Sequence, residues 1–192
     1  EPSQHQLSSV GRGLRIRTNL RRPIIATNMS VVIIFSAALF VSALLLFLVQ
    51  PMFAKMVLPL LGGSPSVWTT CVLFFQADLL AGYAYAHLVT TRLSIRRQVT
   101  VHTAVVVVPL ALLPFALPAT PSEGHVASSQ PAVWLLSVLA TTVGLPFFAL
   151  SATAPLLQRW FSAVRHAFAG DPYFLYAASN AGSLIALLAY PI

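Results

Sequence analysis

VVIIFSAALFVSALLLFLVQ, residues 31–50, is the stretch that decides the fold. It carries no charge and sits inside a longer uncharged run, residues 23–54. A helix of about 20 apolar residues covers the hydrocarbon core of a bilayer. Working outward, the chain holds further uncharged runs at 56–77, 98–122, 124–158 and 172–192, with a shorter one at 79–91. The expected architecture is an all-α membrane protein with about five transmembrane helices, at 31–50, 66–89, 99–117, 132–158 and 173–192. Residues 29–192 form this helical domain, and residues 1–28 form an Arg-rich flexible cytoplasmic tail. The chain is 57% hydrophobic and 8% charged, with a mean hydropathy of +0.82. A soluble domain carries about 25% charged residues.

The basic residues orient the helices, because cytoplasmic loops retain Lys and Arg. Arg12, Arg15, Arg17, Arg21 and Arg22 lie in the tail, Arg92, Arg96 and Arg97 between the second and third helices, and Arg159 and Arg165 between the fourth and fifth. They fall on every second connection, which requires an N-terminus inside and a C-terminus outside. Only Lys55 falls on the far side, and the connection at 119–131 has no basic residue. The net charge of +7 therefore reads as topology. A nucleic-acid role is set aside, since no folded basic surface is present. The tail is instead expected to touch anionic lipid, at about 1 kcal/mol per basic residue. Cys71, the single cysteine, excludes an internal disulfide and reads as a small apolar core residue.

The chain starts at Glu1, and Met29, just before the first span, is a candidate start site. The sequence stops on Tyr190-Pro191-Ile192 at the end of a hydrophobic run, which reads as the edge of a fragment. The first span is too long for a secretory signal.

Several places inside the apolar runs break regularity. Pro51 should end the first helix, because proline cannot donate to the helix ladder. Residues 52–61 are then a short re-entrant or interfacial piece, closed by the turn Gly62-Gly63-Ser64-Pro65, with Ser66 capping the second helix. Gly144 and Pro146, followed by Pro155, should kink the fourth helix. Residues 159–169 place Trp160, Phe161, Val164 and Phe168 on one face, as in a short helix lying in the inner interface. Asp171-Pro172 has the cap-then-proline order of a helix start. In the fifth helix, Ala178, Ser179, Gly182 and Ser183 form small-xxx-small pairs that allow close packing.

Asp78 is the sharpest polar residue. It stands about 18 Å along its helix from Ser66, at mid-bilayer depth, where a carboxylate is costly and a functional site is the default reading. Lys55, His102, Gln76 and Asn180 are its candidate companions in an intramembrane polar site for a proton or cation. The ordinary alternative is a protonated or paired Asp joining helices. His87 and His102 flank the hairpin between the second and third helices and are candidate contacts for a haem or pigment, although interfacial histidines most often only hydrogen-bond. No cofactor or metal site is otherwise expected. The sequence offers no nucleophile–base set, carboxylate pair or phosphate loop.

Two stretches are distinctive as strings: QPMFAKMVLPLLGGSPSVWTTCVLFFQADLLAGYAYAH from Gln50 to His87, and GLPFFALSATAPLLQRWF from Gly144 to Phe161 followed by DPYFLYAASNAGSLIALLAYP from Asp171 to Pro191. Together they resemble the membrane part of the bacterial spermidine-synthase-like proteins, fused transporter-type/spermidine synthase proteins. The resemblance covers most of residues 31–192. It implies a multi-pass protein of the bacterial inner membrane. It also implies a soluble aminopropyltransferase-like domain with nucleotide-binding glycines and an acidic polyamine pocket. This chain has neither, and its only acidic residues are Glu1, Asp78, Glu123 and Asp171. Asp78 departs from the family pattern, which has an aliphatic residue there. Three functions follow as expectations. The first is a non-catalytic membrane subunit or anchor packing against partner membrane proteins. The second is a transporter-like half-unit for a cation or polyamine. The third is the anchor of an aminopropyltransferase-like enzyme whose soluble part is absent.

Overall fold

The computed structural model describes the backbone of residues 4–61, 64–111, 131–164 and 173–190, and the side chains in those segments from residue 29 onward, Leu60 excepted. Five helices account for it: α1 (Gln4–Val57), α2 (Pro65–Arg92), α3 (Ile95–Ala111), α4 (Pro131–Ala163) and α5 (Tyr173–Ala189). Three apolar stretches are long enough to cross a membrane: Met29–Val57 within α1, the whole of α2, and α4. α3 and α5 have 17 residues each. That is about 25 Å, slightly less than a bilayer core. The expected end of the third span, 112–117, lies outside the described residues, as do Asp171-Pro172 and the connection at 119–131 up to residue 130.

Several boundaries differ from expectation. α1 starts at Gln4, so the segment expected as a flexible tail is helical backbone, continuous with the first span. α1 also runs through Pro51 to Val57. Proline deletes one ladder bond, and an apolar helix absorbs that loss because unwinding would expose further backbone groups to hydrocarbon. The expected re-entrant piece thus reduces to a 3₁₀ turn, Leu58–Leu60. Ser64 holds the N-cap position of α2, in extended backbone and without a side-chain capping bond, with Pro65 at the first helical position. Ser66 is already inside the helix, its hydroxyl 2.8 Å from that of Ser64.

The irregularity foreseen in the fourth helix takes the form of a π turn, Ala140–Gly144. Pro146 has no N–H for a carbonyl four residues earlier, and widening the ladder to i→i+5 is one way to accommodate that. α4 then continues to Ala163, so 159–163 end a long helix; the rest of the expected interfacial helix, 165–169 with Phe168, lies outside the described residues. Phe161 is fully buried, with its ring 5.5 Å from Phe35 and 5.3 Å from Phe174. Trp160, one residue earlier and about 100° round the helix, turns to α3.

α4 is the centre of the bundle and packs on α1, α2 and α3, while α5 leans chiefly on α1. Two glycines allow close approaches. Gly82 of α2 abuts Ser151 of α4, and Gly182 of α5 abuts the Phe40 backbone of α1. A core of Ala54, Val57, Cys71, Phe75, Leu139 and Phe147 fills one end. Leu39, Phe161 and Leu175 fill the other. Large apolar side chains such as Ile34, Leu73, Leu80, Leu110 and Leu188 face outward. A water-soluble protein buries a good share of such residues, whereas these helices carry them on the outside along their length.

Candidate functional site

The helix ends define the setting. Arg92 closes α2, and Arg96 and Arg97 lie in the first turn of α3. The Trp160 indole N–H donates to Gln98 Oε1 at 2.9 Å, which draws the C-terminal end of α4, with Arg159, to the same place. The Gln98 amide also donates to the Leu93 carbonyl at 2.8 Å, closing the corner between α2 and α3. Lys55 is in the last turn of α1, about 24 Å beyond Leu39 along the axis. Its ammonium lies 5.7 Å from the centre of the Tyr190 ring. The described arginines therefore gather at one end of the bundle and the lysine at the other.

Between those ends, α2, α3 and α4 meet around His102, which is buried. His102 Nε2 lies 3.1 Å from Thr153 Oγ1 of α4. The His102 ring is flanked by Tyr85 at 6.2 Å and Trp160 at 6.0 Å. Tyr85 also meets Phe148, at 5.3 Å. Three polar atoms here or nearby are buried without a hydrogen-bond partner: His102 Nδ1, the Tyr85 hydroxyl and Asp78 Oδ2. Asp78 and Tyr85 share one face of α2, about two turns apart. Phe75, one turn before Asp78, packs on Phe147, and Gly82, one turn after it, abuts Ser151.

The five residues expected to form one polar site are not brought together. Asp78 and His102 both belong to the α2–α3–α4 side, without a bond between them. Gln76 is exposed. Lys55 is exposed and paired with Tyr190, whose hydroxyl donates to the Pro51 carbonyl at 3.1 Å. Asn180 faces outward, and its carbonyl accepts from Ser183. The histidine pair is also separated in environment: His87 is exposed on α2 while His102 is buried against α4. Of the small residues in α5, Gly182 is buried at the α1 interface, and Ala178, Ser179 and Ser183 are half-buried. The buried stripe runs Leu175, Gly182, Ala186. Gly144, within the π turn, lies beside the Phe74 ring.

α1 and α3 both rest on α4 and leave a cleft between them of about 730 Å³. Its walls include Val41, Leu45 and Phe53 of α1 and Thr103, Val106 and Leu110 of α3. Its floor is α4 from Thr142 through Pro146 to Thr153. His102, Thr153 and Trp160 mark the end nearer the arginines. None of its lining residues is charged. Gln98, Thr153 and the cleft carried no signal in the sequence, because each depends on residues that are far apart in the chain.

Among the described residues, no three or more His, Cys, Asp or Glu side chains group together as metal ligands. Searches of known protein families, curated proteins and solved structures find no match to this chain.

Proposed function

We propose that the chain is a non-catalytic integral membrane domain. It would cross the bacterial inner membrane five times, with its N-terminus in the cytoplasm and its C-terminus outside, and serve as a subunit or anchor that packs against partner membrane proteins. The observation that carries this reading is the sorting of Arg92, Arg96, Arg97 and Arg159 to one end of an apolar bundle and of Lys55 to the other, the asymmetry of an inserted multi-pass protein. The outer face of α5 supports the partner role. Its buried stripe is spent on α1, and Tyr176, Leu184, Ile185 and Leu188 remain exposed. The strings at 50–87 and 144–191 support placing the chain beside the membrane part of the spermidine-synthase-like proteins. In that case any catalytic chemistry belongs to a soluble part outside residues 1–192.

The test is purification of the native complex in mild detergent, with intact mass and identification of stoichiometric partners. Partners lost on Ile185→Glu/Leu188→Glu substitution support the subunit reading. A chain that purifies alone, without stoichiometric companions, overturns it.

Asp78 favours a second reading, a transporter-like unit for a cation. A buried carboxylate oxygen without a partner at membrane depth is where such a site belongs. Loss of cation or polyamine uptake in cells on Asp78→Asn substitution is its test.

A further inference from the structure

We propose that the cleft between α1 and α3 holds one anionic phospholipid, with an acyl chain along α4 and the phosphate at Arg96 and Arg159. This rests on the chain's being a membrane domain.

The shape and lining of the cleft point to a hydrocarbon chain. On α1 it extends from Ala38 to Phe53, about 22 Å along the axis, so it is long and narrow. It is uncharged throughout, and most of its few polar side chains are already engaged. The Ser42 hydroxyl donates to Leu150, that of Thr142 to Val138, and that of Thr153 to Ala149. The Trp160 N–H is taken by Gln98. A ligand with charge along its length would find no partner there.

The charge lies beyond one end. Thr103, Val106 and Leu110 line the cleft, and Arg96 lies seven residues before Thr103. It therefore sits on nearly the same face of α3, about 10 Å further toward the basic end. Arg159 precedes Trp160, which lines that same end; it stands at the same depth on α4, about 100° round the helix. Arg96 and Arg159 are exposed, as are Arg92 and Arg97. The one acidic side chain among the described residues, Asp78, lies mid-helix on α2. Among the described residues, the guanidinium groups thus have no carboxylate partner. An arginine fork fits phosphate, and a phosphate at headgroup level with its acyl chain below matches both the uncharged groove and the basic end. A neutral lipid would satisfy only the groove, and inorganic phosphate only the arginines.

The test is native mass spectrometry of the whole chain in detergent, with phosphatidylglycerol and phosphatidylcholine offered together. The expected result is one phosphatidylglycerol retained per chain, preferred roughly tenfold. Inorganic phosphate should not displace it. Arg96→Gln/Arg159→Gln should abolish the preference. Val41→Trp/Thr103→Trp leaves both arginines in place and adds bulk at two exposed cleft positions; it should abolish retention with an unchanged circular dichroism spectrum. Equal retention of phosphatidylcholine, retention unaffected by the cleft-filling pair, or a dimer without lipid overturns the proposal. Extraction of the chain from membranes by alkaline carbonate would instead overturn the membrane reading beneath it.

Discussion

Gly182 of α5 lies directly against the carbonyl oxygen of Phe40 in α1, so close that a Cβ at this position would overlap it. In hydrocarbon, helices gain nothing from hiding apolar surface from water, and backbone approach through small residues does the work of packing. Gly182→Leu should therefore force α5 away from α1. The expected cost is about 1–3 kcal/mol, the range for overpacking a filled site. Ala181→Leu, at an exposed neighbouring position, should be close to neutral. Thermal unfolding of both variants in detergent checks this. Equal melting temperatures would mean that the α1–α5 contact is not a glycine contact.

The Trp160–Gln98 bond is the second hinge of the arrangement, since it ties the end of α4 to the start of α3. Trp160→Phe keeps an aromatic ring and removes the donor. Gln98→Leu removes the acceptor and also the bond to the Leu93 carbonyl. Each single change should destabilise by about 1–2 kcal/mol. The double variant should cost less than the sum, with a coupling of at least about 0.5 kcal/mol. Strict additivity in a denaturation series would show that the two side chains do not interact.

Some of this was legible in the sequence and some was not. Helix positions follow from one-dimensional apolar runs, so α2 and α5 begin within a residue of expectation. Gly182 was legible because small residues four apart matter in any membrane helix. The π turn was legible only as a disturbance, because Gly144 and Pro146 announce a defect without stating its geometry. Pro51 misled, since proline rules taken from water overstate how readily an apolar helix ends. The candidate site was the least legible part. Lys55 and Asp78 look like natural partners on charge alone. Lys55 ends α1 close to the start of α2, however, whereas Asp78 lies about 20 Å into α2, and the structure turns Lys55 toward Tyr190. His102 was singled out for His87, yet its partner is Thr153, which is 51 residues away.

Asp78 tests whether the half-buried carboxyl is a structural burden. Its Oδ2 atom lacks a partner, and leaving such a group unsatisfied costs about 1–3 kcal/mol. Asp78→Leu should raise the melting temperature of the purified chain, and Asp78→Asn should raise it less, because the amide keeps polar atoms in the same place. A drop in stability for both variants would mean that the carboxyl is paired in the folded protein, and the second functional reading would lose its main support.

The sorting of charge to opposite ends can be read directly in cells. Cys71 is buried, with 1% of its surface exposed, and it is the single native thiol. It should therefore resist maleimide until the protein is unfolded, and Cys71→Ala gives a clean background for labelling. On that background Lys55→Cys and Arg96→Cys mark the two ends of the bundle, and both positions are exposed. A membrane-impermeant maleimide should label Lys55→Cys in intact cells, and Arg96→Cys only after permeabilisation. The opposite pattern would invert the orientation inferred from the arginines. Labelling of both in intact cells would mean that the two ends are not separated by a bilayer, and the five-pass arrangement would fall with it.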